Sequence, residues 1–252
     1  MRVNYDLIAH LYDERERDHG VDRHLLELLD ARGPSAPLRV LDVGCGTGKQ
    51  LAANRDRFEH LTLIGVDRSS GMLAVARRRC PGVRWVHGDA QSLPLGSGTI
   101  DYSVNQYSYP HIPDKPAFFA EVFRVLRRGG RFVLTNIDPW SMRDWLTYRF
   151  FPEAWPVDER DFLRVEVLED LLRSAGFAAV STTARAQASD ESLRRFLHRV
   201  SGRHAMSQLM AIPDAAYERG LARIRARLEA GHGEDVLMPS PMTFITVVAD
   251  KH

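Results

Sequence analysis

The sequence predicts an α/β doubly wound fold around a mostly parallel sheet. Short apolar runs alternate with segments whose apolar residues recur at helical spacing through the first two-thirds of the chain, the pattern of strands joined by crossover helices. The 252 residues are enough for one large core in a single domain. The first apolar run, Val40-Leu41-Asp42-Val43, passes directly into three glycines spaced two apart, Gly44, Gly46 and Gly48. A strand ending in such a turn belongs to this class of fold.

Each element has its own signal. Arg39–Val43 reads as a buried strand, apolar except at its ends. The helix after the glycines carries Leu51, Ala52 and Phe58. The next strand runs from Leu61 to Asp67, nineteen residues after Gly48. Ser69 or Ser70 caps the helix that follows, because a hydroxyl accepts from first-turn amides. Its apolar positions are Met72, Val75 and Ala76, and Pro81-Gly82 stops it. Strands 83–87, 100–105 and 131–136 complete the parallel set. Helix 114–127 lies between the last two, with Phe118, Phe119, Val122, Val125 and Leu126 as its core stripe. Ser174-Ala175-Gly176-Phe177 ends a helix begun near 166 and leads into a strand through Val180 and Thr182. Met242–Ala249 is a second β run.

Two stretches exceed that plan. Residues 138–162 hold Trp140, Trp145, Tyr148, Phe150, Phe151 and Trp155, interrupted by Pro152 and Pro156. Residues 185–240 hold amphipathic helices 190–200 and 214–230, with Gly202 and Gly231 where C-terminal caps belong. Both read as insertions which, with an N-terminal helical cover in residues 1–35 (a helix around 5–30), form a helical cap over the C-terminal strand edge, where ligands bind in open α/β sheets. The whole is expected to be one domain.

Composition excludes more than it selects. The formal net charge of +1 gives no bulk field to recruit nucleic acid or a membrane. Of the 34 basic residues only Lys49, Lys115 and Lys251 are lysines, an arginine bias that reads as composition rather than a phosphate surface. Arg77, Arg78 and Arg79 read as a solvated face near a helix C-terminus. Cys45 and Cys80 are too few for a disulfide framework and lack metal-ligand spacing. No apolar segment suggests a leader or a membrane span, so a cytoplasmic location is expected.

The glycines and Asp67 together describe a nucleoside pocket. Without Cβ, the glycine backbone turns sharply and lets a ligand approach. A carboxylate at the end of the next strand accepts from ribose hydroxyls. A dinucleotide site wants G-x-G-x-x-G; here the glycines fall one position tighter, and position 49 is Lys. That form, with Asp42 ahead of it, resembles motif I of class I S-adenosylmethionine-dependent methyltransferases. Further segments follow in the family's order: Leu61–Asp67, Val86-His87-Gly88-Asp89-Ala90 with Leu93-Pro94, Thr99–Val104, and Glu121-Val122-Phe123-Arg124-Val125-Leu126 running into Gly129-Gly130. The resemblance covers about residues 38–137 and is nearest to the small-molecule branch that includes the ubiquinone and menaquinone C-methyltransferases.

The resemblance implies a Rossmann-like, seven-stranded, mostly parallel sheet with an antiparallel last strand. It implies S-adenosyl-L-methionine as cofactor and S-adenosyl-L-homocysteine as product. The loop Gly44, Cys45, Gly46, Thr47 and Gly48 would hold the methionine end and part of the ribose. Asp42 would help hold the amino group and Asp67 the ribose hydroxyls. Arg68 and Met72 would lie beside the adenine, and Asp89 would reach its exocyclic amine, with the Ala90 amide alongside. Asn105 would face the sulfonium side, next to Gln106. Tyr5 and Tyr12, in Tyr-Asp-x-x-Ala-x-x-Tyr-Asp, resemble the N-terminal helix that closes over the cofactor. From the residues alone, Asp67 also suits a helix N-cap, Asp89 a local loop cap, and Cys45 a small residue in a tight turn.

Methyl transfer from a sulfonium is one in-line displacement, so the protein mainly supplies alignment and removal of water. A general base is needed only for a protonated nucleophile. The segment Gln106 to His111 should border the reacting methyl, with His111 the candidate base and Tyr107 a substrate or sulfonium neighbour. His19, His24, His198 and His204 are candidate cap residues. Nucleic-acid base methylation is argued down because Asn105-Gln106-Tyr107-Ser108 stands where an Asn/Asp-Pro-Pro-Tyr/Phe motif would be. Asp138 alone does not make a metal site, so no metal is expected. The expectation is methyl transfer to a small-molecule substrate by a monomer or homodimer. The rivals are a non-catalytic binder of the same cofactor, a nicotinamide oxidoreductase and an aminopropyl transferase.

Overall fold

Why the switch between strands falls beside the glycines is visible from the element order. The structure is a computed structural model and describes residues 4–9, 22–231 and 234–252. A 3-10 turn, Tyr5–Ile8, precedes α1 (Arg23–Arg32), whose N-terminus is capped by the Asp22 carboxylate. Then follow β1 (Arg39–Val43), α2 (Lys49–Arg57), β2 (Thr62–Asp67), α3 (Ser70–Arg79), β3 (Arg84–His87), β4 (Ile100–Gln106), α4 (Lys115–Val125) and β5 (Leu126–Ile137). After them come α5 (Leu146–Phe150), α6 (Ala154–Asp161), α7 (Val165–Ser174), β6 (Ala179–Gln187), β7 (Asp190–Ser192), α8 (Leu193–Ser201), α9 (Ser207–Ala211), α10 (Asp214–Glu229), β8 (Leu237–Pro239) and β9 (Met242–Asp250).

Seven strands form one sheet in the order β3-β2-β1-β4-β5-β9-β6, mostly parallel with one antiparallel strand, as expected. β1 pairs in parallel with β2 on one side and β4 on the other. The chain therefore winds outward from β1 in one direction and then from β4 in the other. The connections that leave the C-terminal ends of β1 and β4 lead to opposite halves of the sheet, and this is where an open α/β sheet leaves room for a ligand.

The described residues divide into two compact units. The larger comprises 4–136, 165–183 and 246–252. Its core packs Leu25, Leu28 and Leu29 of α1, Leu51 of α2 and Leu73 of α3 with Val40, Leu63, Tyr102, Val104 and Val133 of the strands. Tyr102 is fully buried, and its hydroxyl donates to Asp22 Oδ2, so the polar tip is satisfied. Ser69 Oγ accepts from Met72 N–H and caps α3, an interaction worth about 1 kcal/mol.

The β5 boundary differs from expectation. Helix α4 stops at Val125 rather than 127, and β5 begins at Leu126 rather than 131. Leu126 pairs with Ile100, but Tyr102 pairs with Arg131, so the intervening residues bulge out of register. Gly129 N–H donates to Lys251 O (2.6 Å), and Lys251 Nζ donates to Phe123 O and Leu126 O (2.6 and 2.7 Å), closing the end of α4.

The second unit comprises 137–164 and 184–245. Here the expected helix 190–200 begins only at Leu193, because Asp190–Ser192 pairs antiparallel with Leu237–Pro239. The aromatic stretch packs edge to face: Trp145 on Tyr148, Tyr148 on Trp155, and Trp155 on Trp140. The buried Asp158 carboxylate accepts from Tyr148 OH (2.6 Å) and Gln208 Nε2 (3.0 Å). No helix among the described residues is long and apolar enough to cross a membrane.

Candidate active site

One pocket opens at the C-terminal ends of β1, β2 and β4, all within the larger unit. Its floor is the glycine turn. Gly44 has φ +76°, and its N–H donates to Val66 O at 2.7 Å. A Cβ there would run into the Ser108 side chain, so no larger residue fits. Gly46 and Gly48 are also left-handed, and Gly48 is the N-cap of α2.

Asp67 ties this turn to the next one. Its Oδ2 accepts from Gly46 N–H and its Oδ1 from Ser69 N–H, both at 2.8 Å. The carboxylate thus orders the glycine turn and the start of α3 while facing the pocket. Burial raises its pKa from the ordinary carboxylate value, against the opposing effect of those two N–H groups. Asp42 is buried one strand away, and its pKa is pushed up to about 8 by burial first and then by the Asp67 and Asp22 charges. The Cys45 thiol is held far above its ordinary value by burial and both acids, which makes it an inert small side chain.

Two supports of the glycine turn were not anticipated. Arg79 Nη1 donates to Thr47 O (3.2 Å) and Thr47 Oγ1 (3.4 Å), so the last arginine of the 77–79 run reaches back to the turn. Arg77 and Arg78 are exposed. Position 79 lies four residues past Val75 on the buried side of α3, and that spacing was the available signal. Trp85 packs across the positions where Gly48 and Gly65 lack side chains, and its Nε1–H donates to Cys80 O (2.9 Å).

Arg68, Met72, Asp89 and Ala90 line the pocket. Asp89 accepts from Gln91 N–H at 2.9 Å and from Gln91 Nε2, so the local cap is real and the residue also faces the cavity. The opposite wall is Gln106, Tyr107, Ser108, His111, Ile112 and Pro113. Tyr107 has φ +57°, the one left-handed non-glycine among the described residues, a conformation that costs about 1–3 kcal/mol and is held here by a bond from its N–H to Thr135 O (3.0 Å).

Among the described residues, two of the expected cofactor residues do not line the pocket: Gly48, which lies against the Trp85 ring, and Asn105. Asn105 is fully buried, its Nδ2 donates to Val43 O (2.8 Å) and Ser108 Oγ (2.5 Å), and its Oδ1 accepts from Tyr109 N–H. Its amide is committed to the turn that carries Tyr107 and Ser108.

Tyr5 joins the site from the N-terminal turn. Its hydroxyl and His111 Nε2 share a hydrogen bond of 2.9 Å. Asp6 anchors that turn, because its Oδ1 accepts from Ser69 Oγ (2.7 Å) and Gly71 N–H (2.8 Å) at the head of α3. Both bonds hold the Asp6 carboxyl below the ordinary range. Ala9 packs with Met72, Val75 and Tyr5. Tyr12 and His19 lie outside the described residues. His24 bonds Glu27 on α1, and His198 and His204 belong to the second unit. Lys49 and Gln50, at the first turn of α2, also line the pocket and were not predicted to do so. Among the described residues no group of three or more His, Cys, Asp or Glu side chains is placed to hold a metal ion.

A pocket at the switch point of the sheet, with a left-handed glycine turn and an acid on the neighbouring strand, lies where open α/β sheets bind their ligands. Residues 40–130 match the model of the methyltransferase-domain family. The chain is 32% identical over 146 residues to a malonyl-[acyl-carrier protein] O-methyltransferase of Xylella fastidiosa, covering 55% of this chain and 48% of that protein. It is 31% identical over 146 residues to a demethylmenaquinone methyltransferase of Beutenbergia cavernae, covering 53% and 60%. The chain thus spans about half the length of these curated relatives. A Haemonchus contortus phosphoethanolamine N-methyltransferase 2, solved with S-adenosyl-L-methionine, shares the fold at TM-score 0.60 and 20% identity, over 98% of this chain and 57% of that one.

Proposed function

We propose that this protein transfers a methyl group from S-adenosyl-L-methionine to a small-molecule acceptor. The observation that carries the reading is the double role of Asp67: one carboxylate orders both the glycine turn and the head of α3 while facing the same pocket as Tyr107 and His111. The residues fit the cofactor. The bare main chain at Gly44–Gly48 would take the methionine end, with Lys49 and the head of α2 near its carboxylate and Asp42 near its ammonium. Asp67 would accept from the ribose hydroxyls, while Arg68, Met72, Asp89 and Ala90 would flank the adenine. The bound cofactor supplies a methyl group already activated by the sulfonium.

What remains for the chain is placement and proton handling. Gln106 and Tyr107 border the acceptor and exclude water from the reaction line. His111, oriented by Tyr5, takes the proton of an acceptor that arrives protonated. Relatives named for O-, C- and N-methylation fit an acceptor wall that varies while the cofactor wall stays recognisable.

The test is transfer of labelled methyl from S-adenosyl-L-methionine into fractionated small metabolites, with calorimetric titration of S-adenosyl-L-homocysteine. Binding with transfer supports the reading. Binding without transfer into any fraction would leave a non-catalytic binder, and no binding would end the reading altogether.

A further inference from the structure

The Glu121…Arg124 pair lies on α4 and does not line the pocket, yet it grips the loop that does. Residues 88–98 leave β3 with Gly88, Asp89 and Ala90 facing the pocket and return toward β4 through Leu93, Pro94 and Leu95. Glu121 Oε2 accepts from Leu93 N–H at 2.6 Å. Arg124 Nη2 donates to Leu93 O at 3.0 Å, and Nη1 donates to Leu95 O at 2.9 Å and Ser97 Oγ at 3.1 Å. The two side chains are joined to each other at 2.6 and 2.8 Å. A half-exposed ion pair alone contributes little. This one spends its remaining valences on three main-chain groups of an otherwise irregular segment, which is what fixes a loop.

The grip is passed on to the pocket by one contact. Pro94 sits between the two clamped residues and lies against Gly88, where a Cβ would come within 2.8 Å of its Cδ. Gly88 leads directly into Asp89 and Ala90. We infer that Glu121 and Arg124 are positioning residues that set the purine end of the pocket, acting through Pro94 on Gly88–Ala90. This rests on the methyl-donor reading above and extends it to specificity for the adenine amino group.

The experiment is calorimetric titration with S-adenosyl-L-homocysteine and with its inosine counterpart, in which an oxo group replaces the adenine amine. The wild-type protein should prefer the adenine compound. Arg124→Ala and Glu121→Ala should each cut that preference by about tenfold, the scale of one well-placed hydrogen bond, with little change toward the inosine compound. Glu121→Gln keeps an acceptor for Leu93 N–H and should restore most of it. Pro94→Ala tests the relay with α4 intact and should also lower the preference. A wild-type preference retained in the Ala variants and in Pro94→Ala overturns the inference. So does an equal loss toward both ligands with lowered thermal stability, which marks a merely structural pair, and so does a wild-type protein that binds both alike. A wild-type protein that binds neither ligand sinks the methyl-donor reading itself.

Discussion

Tyr5 and His111, 106 positions apart in the chain, meet through a hydrogen bond of 2.9 Å at the mouth of the pocket. The contact exists because Asp6 is fastened to the head of α3, which fixes the turn carrying Tyr5. His111→Asn should lower kcat by about 10²–10⁴-fold if the imidazole accepts the acceptor's proton. Tyr5→Phe keeps the ring and loses the hydroxyl, and should lower kcat by roughly tenfold or less at unchanged product affinity. Steady-state rates with calorimetric binding of S-adenosyl-L-homocysteine check both, and wild-type turnover in His111→Asn removes the histidine from the chemistry.

Asp67→Ala should weaken S-adenosyl-L-homocysteine by about 1–3 kcal/mol, through lost charge-assisted bonds and a loosened Gly46 amide. An isothermal titration that returns the wild-type affinity would remove Asp67 from the ribose role.

Burial and two neighbouring acids push the Asp42 pKa up to about 8, so at neutral pH most of the apo protein carries it protonated. An ammonium group bound beside it favours the carboxylate and expels that proton. Product affinity should therefore rise with pH below about 8, by at most tenfold per unit, and level off above it. Titrations in buffers of different ionisation enthalpy should register proton release at pH 7, and Asp42→Asn should abolish it.

Asp158, in the second unit, has its pKa raised by burial to about 7 from an ordinary 3.8. Between those values the folded state holds a proton that the unfolded state has released. Its contribution is complete below about pH 4 and is lost as pH rises through 7. Asp158→Asn retains an acceptor for Tyr148 and Gln208 and should flatten this loss, which amounts to at most a few kcal/mol. Thermal melts of wild type and variant at pH 5 and pH 8 check it: the variant should gain on the wild type at the higher pH.

The glycine side of the pocket could be read from the chain because its residues are contiguous or close in sequence. Gly44 to Gly48 follow β1, Asp67 ends β2 and Asp89 comes two residues after β3, and the sheet order then brings them together. Arg79 is told from Arg77 and Arg78 only by its spacing of four from Val75, which places it toward the buried side of α3, while a run of three arginines reads as a solvated face. Asn105 reads as a ligand because it stands at the tip of the expected strand 100–105, but three neighbouring main-chain and hydroxyl groups claim its amide. The late start of α8 was hidden because β7 finds its partner more than forty residues away, at Leu237–Pro239. The early start of β5 depends on Lys251 near the chain end. Such pairings are set by tertiary contacts, which local propensity does not encode.

The backbone at Tyr107 is pinned by Thr135 in an orientation most side chains avoid, while its ring stays among the more exposed aromatics. Direction and identity are therefore separable at this corner. The main chain dictates where a group at 107 points, and the sequence is at liberty to choose which group it is. Exchanging that one side chain alters what this wall of the pocket presents without rebuilding the scaffold beneath it, and glycine is the replacement that would also relieve the twist.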